Sequence, residues 1–155
     1  MAAGTPQIFN TFKEKMADGT LDMDTATADY WKCALLTSAY TYDATDSVWS
    51  DLSANEVSTT NTGYSAGGIS LTVGDSGWSR SGGTVTFDSS TNPQWTAGSA
   101  GLTAKWAIIY GNNASTKDLV CAVDLNTDSG SATVSATTGN NLTITWNASG
   151  IFSIS

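Results

Sequence analysis

The chain predicts a mainly β protein, an antiparallel β-sandwich or jelly-roll-like barrel with one short N-terminal helix. Three observations carry this reading. From residue 30 onward, apolar residues alternate with small polar ones in short runs. Such runs are expected of antiparallel strands with one wet face. Gly, Asn and Ser clusters separate them, as turns require. Only residues 5–18 carry a helical period.

Taken in order, the helix comes first. Thr5 is placed to cap it and Pro6 suits its first position. Ile8, Phe9, Phe12 and Met16 then recur on one face, and Gly19 supplies a stop. A helix this short is marginal alone, so that face must pack on its own sheet or on a neighbouring subunit. Trp31, Cys33 and Leu35 form the first alternating run, followed by Ile69–Val73 and Val85–Phe87. Residues 105–110 (KWAIIY) and 119–125 (LVCAVDL) are apolar on both sides, which predicts central strands. The end of the chain reads as strands near 132–137, 141–146 and 151–154, giving about eight in all. Between Thr37 and Gly68 no period holds, although Tyr40, Tyr42, Trp49 and Tyr64 fall there. A stretch of that length is usually functional or ordered by a partner.

The 155 residues are enough for one domain with a real core, since a chain of this size buries roughly 70% of its unfolded surface. Residues 1–20 read as an N-terminal arm and helix, and 21–155 as a single β-rich domain. The net charge of -8 argues against a basic nucleic-acid interface and against an anionic membrane. At 13% charged residues, the chain is not an acidic disordered tail. Its first residues show no basic region followed by an apolar run, so no signal peptide is expected. Three glycosylation sequons, beginning at Asn113, Asn141 and Asn147, read as polar turns.

Candidate chemistry is thin. There is no histidine to shuttle protons or to activate the many Ser and Thr hydroxyls. Asp22 and Asp24, flanked by Asp18 and Asp29, begin like a calcium loop. The sixth position lacks glycine, however, and Cys33 stands at the twelfth, where glutamate is needed. Glu14 and Glu56 are the only glutamates, and no carboxylate pair is singled out for glycoside hydrolysis. The Gly-rich Ser65–Gly68 segment has no phosphate-binding lysine after it and reads as a turn. Cys33 and Cys121, both on apolar faces, read as buried thiols, with a bridge between them left open. The expectation is a protein without catalysis, cofactor or metal.

The six tryptophans divide. Trp31, Trp106 and Trp146 lie in predicted strands and read as core, whereas Trp49, Trp78 and Trp95 lie among Ser, Gly, Asp and Asn. Each of the latter is either a lid on the core or an exposed contact for a protein or a sugar. The segment Gly77–Gly83 reads as a hairpin tip and holds the only arginine, Arg80, which makes it the leading surface contact.

Several segments, met in one order, resemble a known group. They are Phe9–Lys15, Asp18–Thr25, Lys32–Thr41 (KCALLTSAYT), Ser50–Val57 (SDLSANEV) and Gly63–Leu71 (GYSAGGISL). KWAIIY, VDL and a closing TITWNASGIFSI follow. This series is similar to small β-rich structural proteins of tailed bacteriophages, labelled head decoration, head fibre or tail-associated. The chain departs from them in a longer Thr25–Trp31 stretch and in Cys33, where valine is usual. The resemblance implies a virion component, assembled in the host cytoplasm and placed on the capsid surface. As a decoration (cement) protein it would bind the major capsid protein as a homo-oligomer, with a trimer favoured. The N-terminal arm and the 37–68 stretch would supply contacts, and Phe9, Phe12, Trp49, Tyr64, Trp78, Arg80 and Trp95 are the expected contact residues. The alternatives are a tail, neck or receptor-binding component and, beyond those, a carbohydrate-binding module.

Overall fold

The structure, a computed structural model, describes residues 4–21, 30–73, 77–112, 116–126 and 132–155. Among these it is mainly β, with several antiparallel sheets and only short helices, a β-sandwich-like architecture.

One layer is a five-stranded sheet in the order β1-β9-β8-β2-β3. Its strands are β1 (Pro6–Ile8), β2 (Trp31–Leu36), β3 (Ile69–Ser70), β8 (Trp106–Gly111) and β9 (Asp118–Asp124). The opposing layer is broken into three small sheets. β4 (Trp78–Ser81), β5 (Thr84–Phe87) and β12 (Phe152–Ile154) form one, in the order β12-β5-β4. β6 (Gln94–Thr96) pairs with β11 (Asn141–Thr143), and β7 (Leu102–Ala104) with β10 (Val134–Ala136). Between the layers lies the larger core, in which Trp31, Cys33, Leu35, Ile109 and Val123 meet Phe87, Trp95, Leu142, Ile144 and Phe152.

The two-sided apolar runs do become central strands. β8 lies between β2 and β9, paired from Leu36↔Trp106 to Trp31↔Gly111 on one side. On the other side the register slips between Ile109 and Tyr110, which pair with Cys121 and Leu119. Val120 is the extra residue of this bulge. A bulge turns two successive side chains toward one face, and Val120 and Cys121 both enter the larger core while Leu119 and Ala122 point away from it.

Three expectations need correction. First, the helix does not run from residue 5. Pro6, Gln7 and Ile8 pair with Val123, Ala122 and Cys121 as an edge strand, and α1 spans only Asn10–Ala17. Completing the sheet edge overrides the helical period there. Thr5 caps nothing, because Phe9 holds the cap position in extended conformation. The supposed single apolar face is split, with Phe12 in the core between the layers and Phe9 on the opposite side of the five-stranded sheet. The predicted stop does fall at Gly19, which has φ +73.

Second, β2 has no wet face. Ala34 and Leu36 are as buried as Cys33 and Leu35. Third, the cause is the Thr37–Gly68 stretch, which is ordered by its own chain. It contains α2 (Trp49–Leu52) and a 3₁₀ turn at Ser53–Asn55, and it lies over the outer face of the five-stranded sheet. Tyr40, Trp49 and Leu52 bury there against Leu36, Trp106, Ile108 and Tyr110. Thr37 N–H donates to Asn55 O at 2.9 Å, and Trp49 N–H to Lys117 O at 3.0 Å, which pins the cover at its start and at α2. The molecule therefore has two cores, one on each side of the five-stranded sheet.

Candidate functional site

Two surfaces stand out once the cores are set aside. The first is the β4–β5 hairpin. Gly82 and Gly83 make its tip, with Gly82 at φ +60, as a two-residue hairpin turn demands. Among the described residues, β5 is paired on both sides, whereas β4 is paired on one side only. Trp78 is half-buried, its ring centroid 4.8 Å from that of Phe87 and 5.9 Å from that of Phe152. Ser79, Arg80 and Ser81 are exposed.

The second surface is an open groove of about 720 Å³ between the β1 edge and the 146–153 segment. Thr5, Pro6 and Ile8 form one wall, and Trp146, Asn147 and Ser153 belong to the other. No lining residue carries a charge, a contrast with the acidic chain as a whole.

The groups with most chemical potential are engaged in holding the fold. Lys105 is 3% exposed, and its ammonium donates to Asp124 Oδ2 at 2.8 Å and to Asn126 O at 3.0 Å. Lys15 on α1 pairs with the buried Asp118 at the start of β9. Glu56 Oε1 accepts from Tyr64 Oη at 2.7 Å and from Gly67 N–H at 2.6 Å. Tyr64 Oη in turn accepts from Leu35 N–H at 3.1 Å, and Tyr110 Oη donates to Gly67 O at 2.8 Å. This knot ties the end of the 37–68 stretch to β2 and β8.

Both thiols are free and fully buried, and burial pushes each well above the ordinary cysteine range. The bridge left open by the sequence is ruled out by register. Cys33 and Cys121 flank Ile109 from either side, so two strand spacings, roughly 9.6 Å, separate their Cα atoms. A disulfide needs less than about 7 Å.

The tyrosines yield a pH prediction. Burial first, then the Asp46 and Glu56 carboxylates, raise Tyr40 and Tyr64 far above the usual phenol range, and burial pushes Tyr110 up to about 12. A group whose folded pKa is raised stabilises the fold fully below its unfolded value, and that stability declines as pH climbs through the folded one. Stability is therefore expected to fall as pH rises from about 10, and these phenols to ionise only together with unfolding. Phenolate absorbance and far-ultraviolet circular dichroism, recorded together up the pH scale, check this. Smooth ionisation of all tyrosines near the ordinary value in a folded protein would contradict it.

The expected contact residues are scattered rather than gathered. Phe9, Phe12, Trp49, Tyr64 and Trp95 are between 0% and 6% exposed, and their side chains pack in the two cores. Trp95 sits inside β6, packed near Tyr64, and Trp49 stacks on Tyr110 with centroids 4.9 Å apart. Only Trp78 and Arg80 stay at the surface, and the structure puts them together on one strand. Trp31, Trp106 and Trp146 are core, as expected.

The groove escaped sequence reasoning because its walls come from opposite ends of the chain, which only the fold brings together. The sole available signal was Pro6, a residue suited to an edge strand. Asp22, Asp24 and Asp29 lie outside the described residues, while Asp18 is exposed and accepts from Thr20 N–H at 2.8 Å. Among the described residues, no cluster of three or more metal-ligating side chains occurs, and no helix is long and apolar enough to cross a membrane. Comparison with known protein families, curated proteins and solved structures finds no significant match.

Proposed function

We propose that this chain is a virion structural protein of a tailed bacteriophage that decorates the capsid and stabilises the assembled shell. The carrying observation is the ordered series of segments resembling phage structural proteins, read together with where those segments lie. KCALLTSAYT supplies most of β2, SDLSANEV supplies most of α2 and its 3₁₀ turn, and GYSAGGISL supplies Gly68, whose backbone lies close against Cys33 of β2, and β3. These motifs contribute to the two cores, which supports reading them as parts of a structural scaffold. In this reading a ligand that binds only the assembled shell stabilises it by mass action.

Most of the aromatic set that the sequence suggested is buried, so this reading needs another contact surface. The groove beside β1 is the seat this reading assigns to the major capsid protein, because its lining sets no charge of this acidic chain against a partner. The partly buried Trp78, beside exposed Arg80, favours a second reading, a tail or receptor-binding component. Purified protein added to shells lacking it separates the two. Decoration predicts saturable binding at hundreds of copies and a higher shell melting temperature. Binding of only a few copies, or none, would reject it.

A further inference from the structure

We infer that the open edge of β4 is a self-association surface, in which a second copy of this chain adds its own β4 antiparallel across a two-fold axis. Several observations converge on this edge. β4 is the longest strand with an open side among the described residues, with four residues against two in β3 and three in each of β1, β6, β7, β10, β11 and β12. It contains no proline, whereas β1 carries Pro6. Proline on an edge removes a donor and discourages strand addition.

Register fixes which backbone groups face outward. Asp88 N–H donates to Gly77 O at 2.7 Å, in line with the Trp78↔Phe87 and Arg80↔Val85 pairing. Hydrogen-bonded pairs alternate along an antiparallel ladder. Gly77, Ser79 and Ser81 therefore direct their backbone groups at β5, and Trp78 and Arg80 present theirs to the open side.

An axis through Ser79 places Trp78 opposite Arg80 of the second copy, and Arg80 opposite its Trp78. Both are hydrogen-bonded pairs, and directly opposed side chains share a face. Each guanidinium would then lie against the part of the other copy's Trp78 ring that the core leaves uncovered, a cation–π contact made twice. The patch is thus self-complementary, as a two-fold interface requires. It uses the only arginine in the chain, whose charge also offsets repulsion between two copies of net charge -8. Two three-stranded sheets would merge into one six-stranded sheet. The inference concerns the free protein and does not depend on where in a particle it binds.

Sedimentation velocity over a concentration series, combined with hydrogen exchange of the full chain, tests this. The expected result is a reversible dimer in which the Trp78 and Arg80 amides gain protection as concentration rises. Arg80→Glu lies on an exposed position and should leave the circular dichroism spectrum unchanged. It should weaken the dimer by about tenfold or more, because the two-fold axis removes the cation–π pair from both halves at once. A monomer at every concentration would overturn the inference. So would a dimer that Arg80→Glu leaves intact, or one in which those two amides exchange at an unchanged rate. None of these readouts involves a capsid shell, so failure of shell binding leaves this result standing on its own.

Discussion

Gly68→Ala is expected to destabilise the fold by about 2–6 kcal/mol, through left-handed strain together with a forced backbone shift. Gly68 has φ +72, where an L side chain is rarely held. A Cβ at this position would lie 1.9 Å from Cys33 O and 2.6 Å from Ala34 Cα, both backbone atoms of β2. Nothing flexible is available to move aside. β2, an interior strand of the sheet, would itself have to shift, carrying with it the rows that face both cores. Gly82→Ala is the matched control, because Gly82 has φ +60 but nothing within 4 Å of the place its methyl group would take. It should cost only about 1 kcal/mol. Urea midpoints of the two variants check the claim, and equal losses would show that close approach to β2 is not the cause.

Phe9→Ala is expected to cost about 3–5 kcal/mol in the isolated protein, as for a large aromatic removed from a packed interior. Phe9 is 0% exposed, and its ring lies 5.3 Å from that of Tyr42. Tyr42 Oη donates to Ile8 O at 2.8 Å, so the contact holds the cover over the outer face of the sheet to β1. A residue that served a partner would behave differently, leaving the free protein stable and weakening only the complex. Denaturant unfolding of the free variant therefore decides between core and contact. An unchanged midpoint would return Phe9 to the surface set.

What could be read in the sequence follows from how the fold displays its periods. β8 and β9 were legible because strands buried on both faces show as unbroken apolar runs. The cover over the second face was not, because its aromatics at Tyr40, Tyr42 and Trp49 have no common spacing. They converge only after α2 and the 3₁₀ turn bend the chain across the sheet. Trp95 was misplaced for a related reason. β6 has three residues, too few to show alternation among Gly, Ser and Thr neighbours.

The N-terminal segment shows the opposite failure. A real helical period ran past its true start, because Pro6–Ile8 finds a better partner in β9 than in the next helical turn. Of the expected contact residues, only Trp78 and Arg80 stay at the surface, and they share a hairpin that its glycine tip made visible. The rest were drawn into the cores because large aromatics in polar sequence bury whenever the chain can fold back over them.

A cryo-electron microscopy reconstruction of the phage particle that carries this chain tests the central proposal most directly. Decoration predicts density of this sandwich repeated regularly across the capsid faces, with the groove between β1 and residues 146–153 turned toward the shell. Density confined to a single vertex or to the tail would contradict that account and place the protein among the tail-associated components.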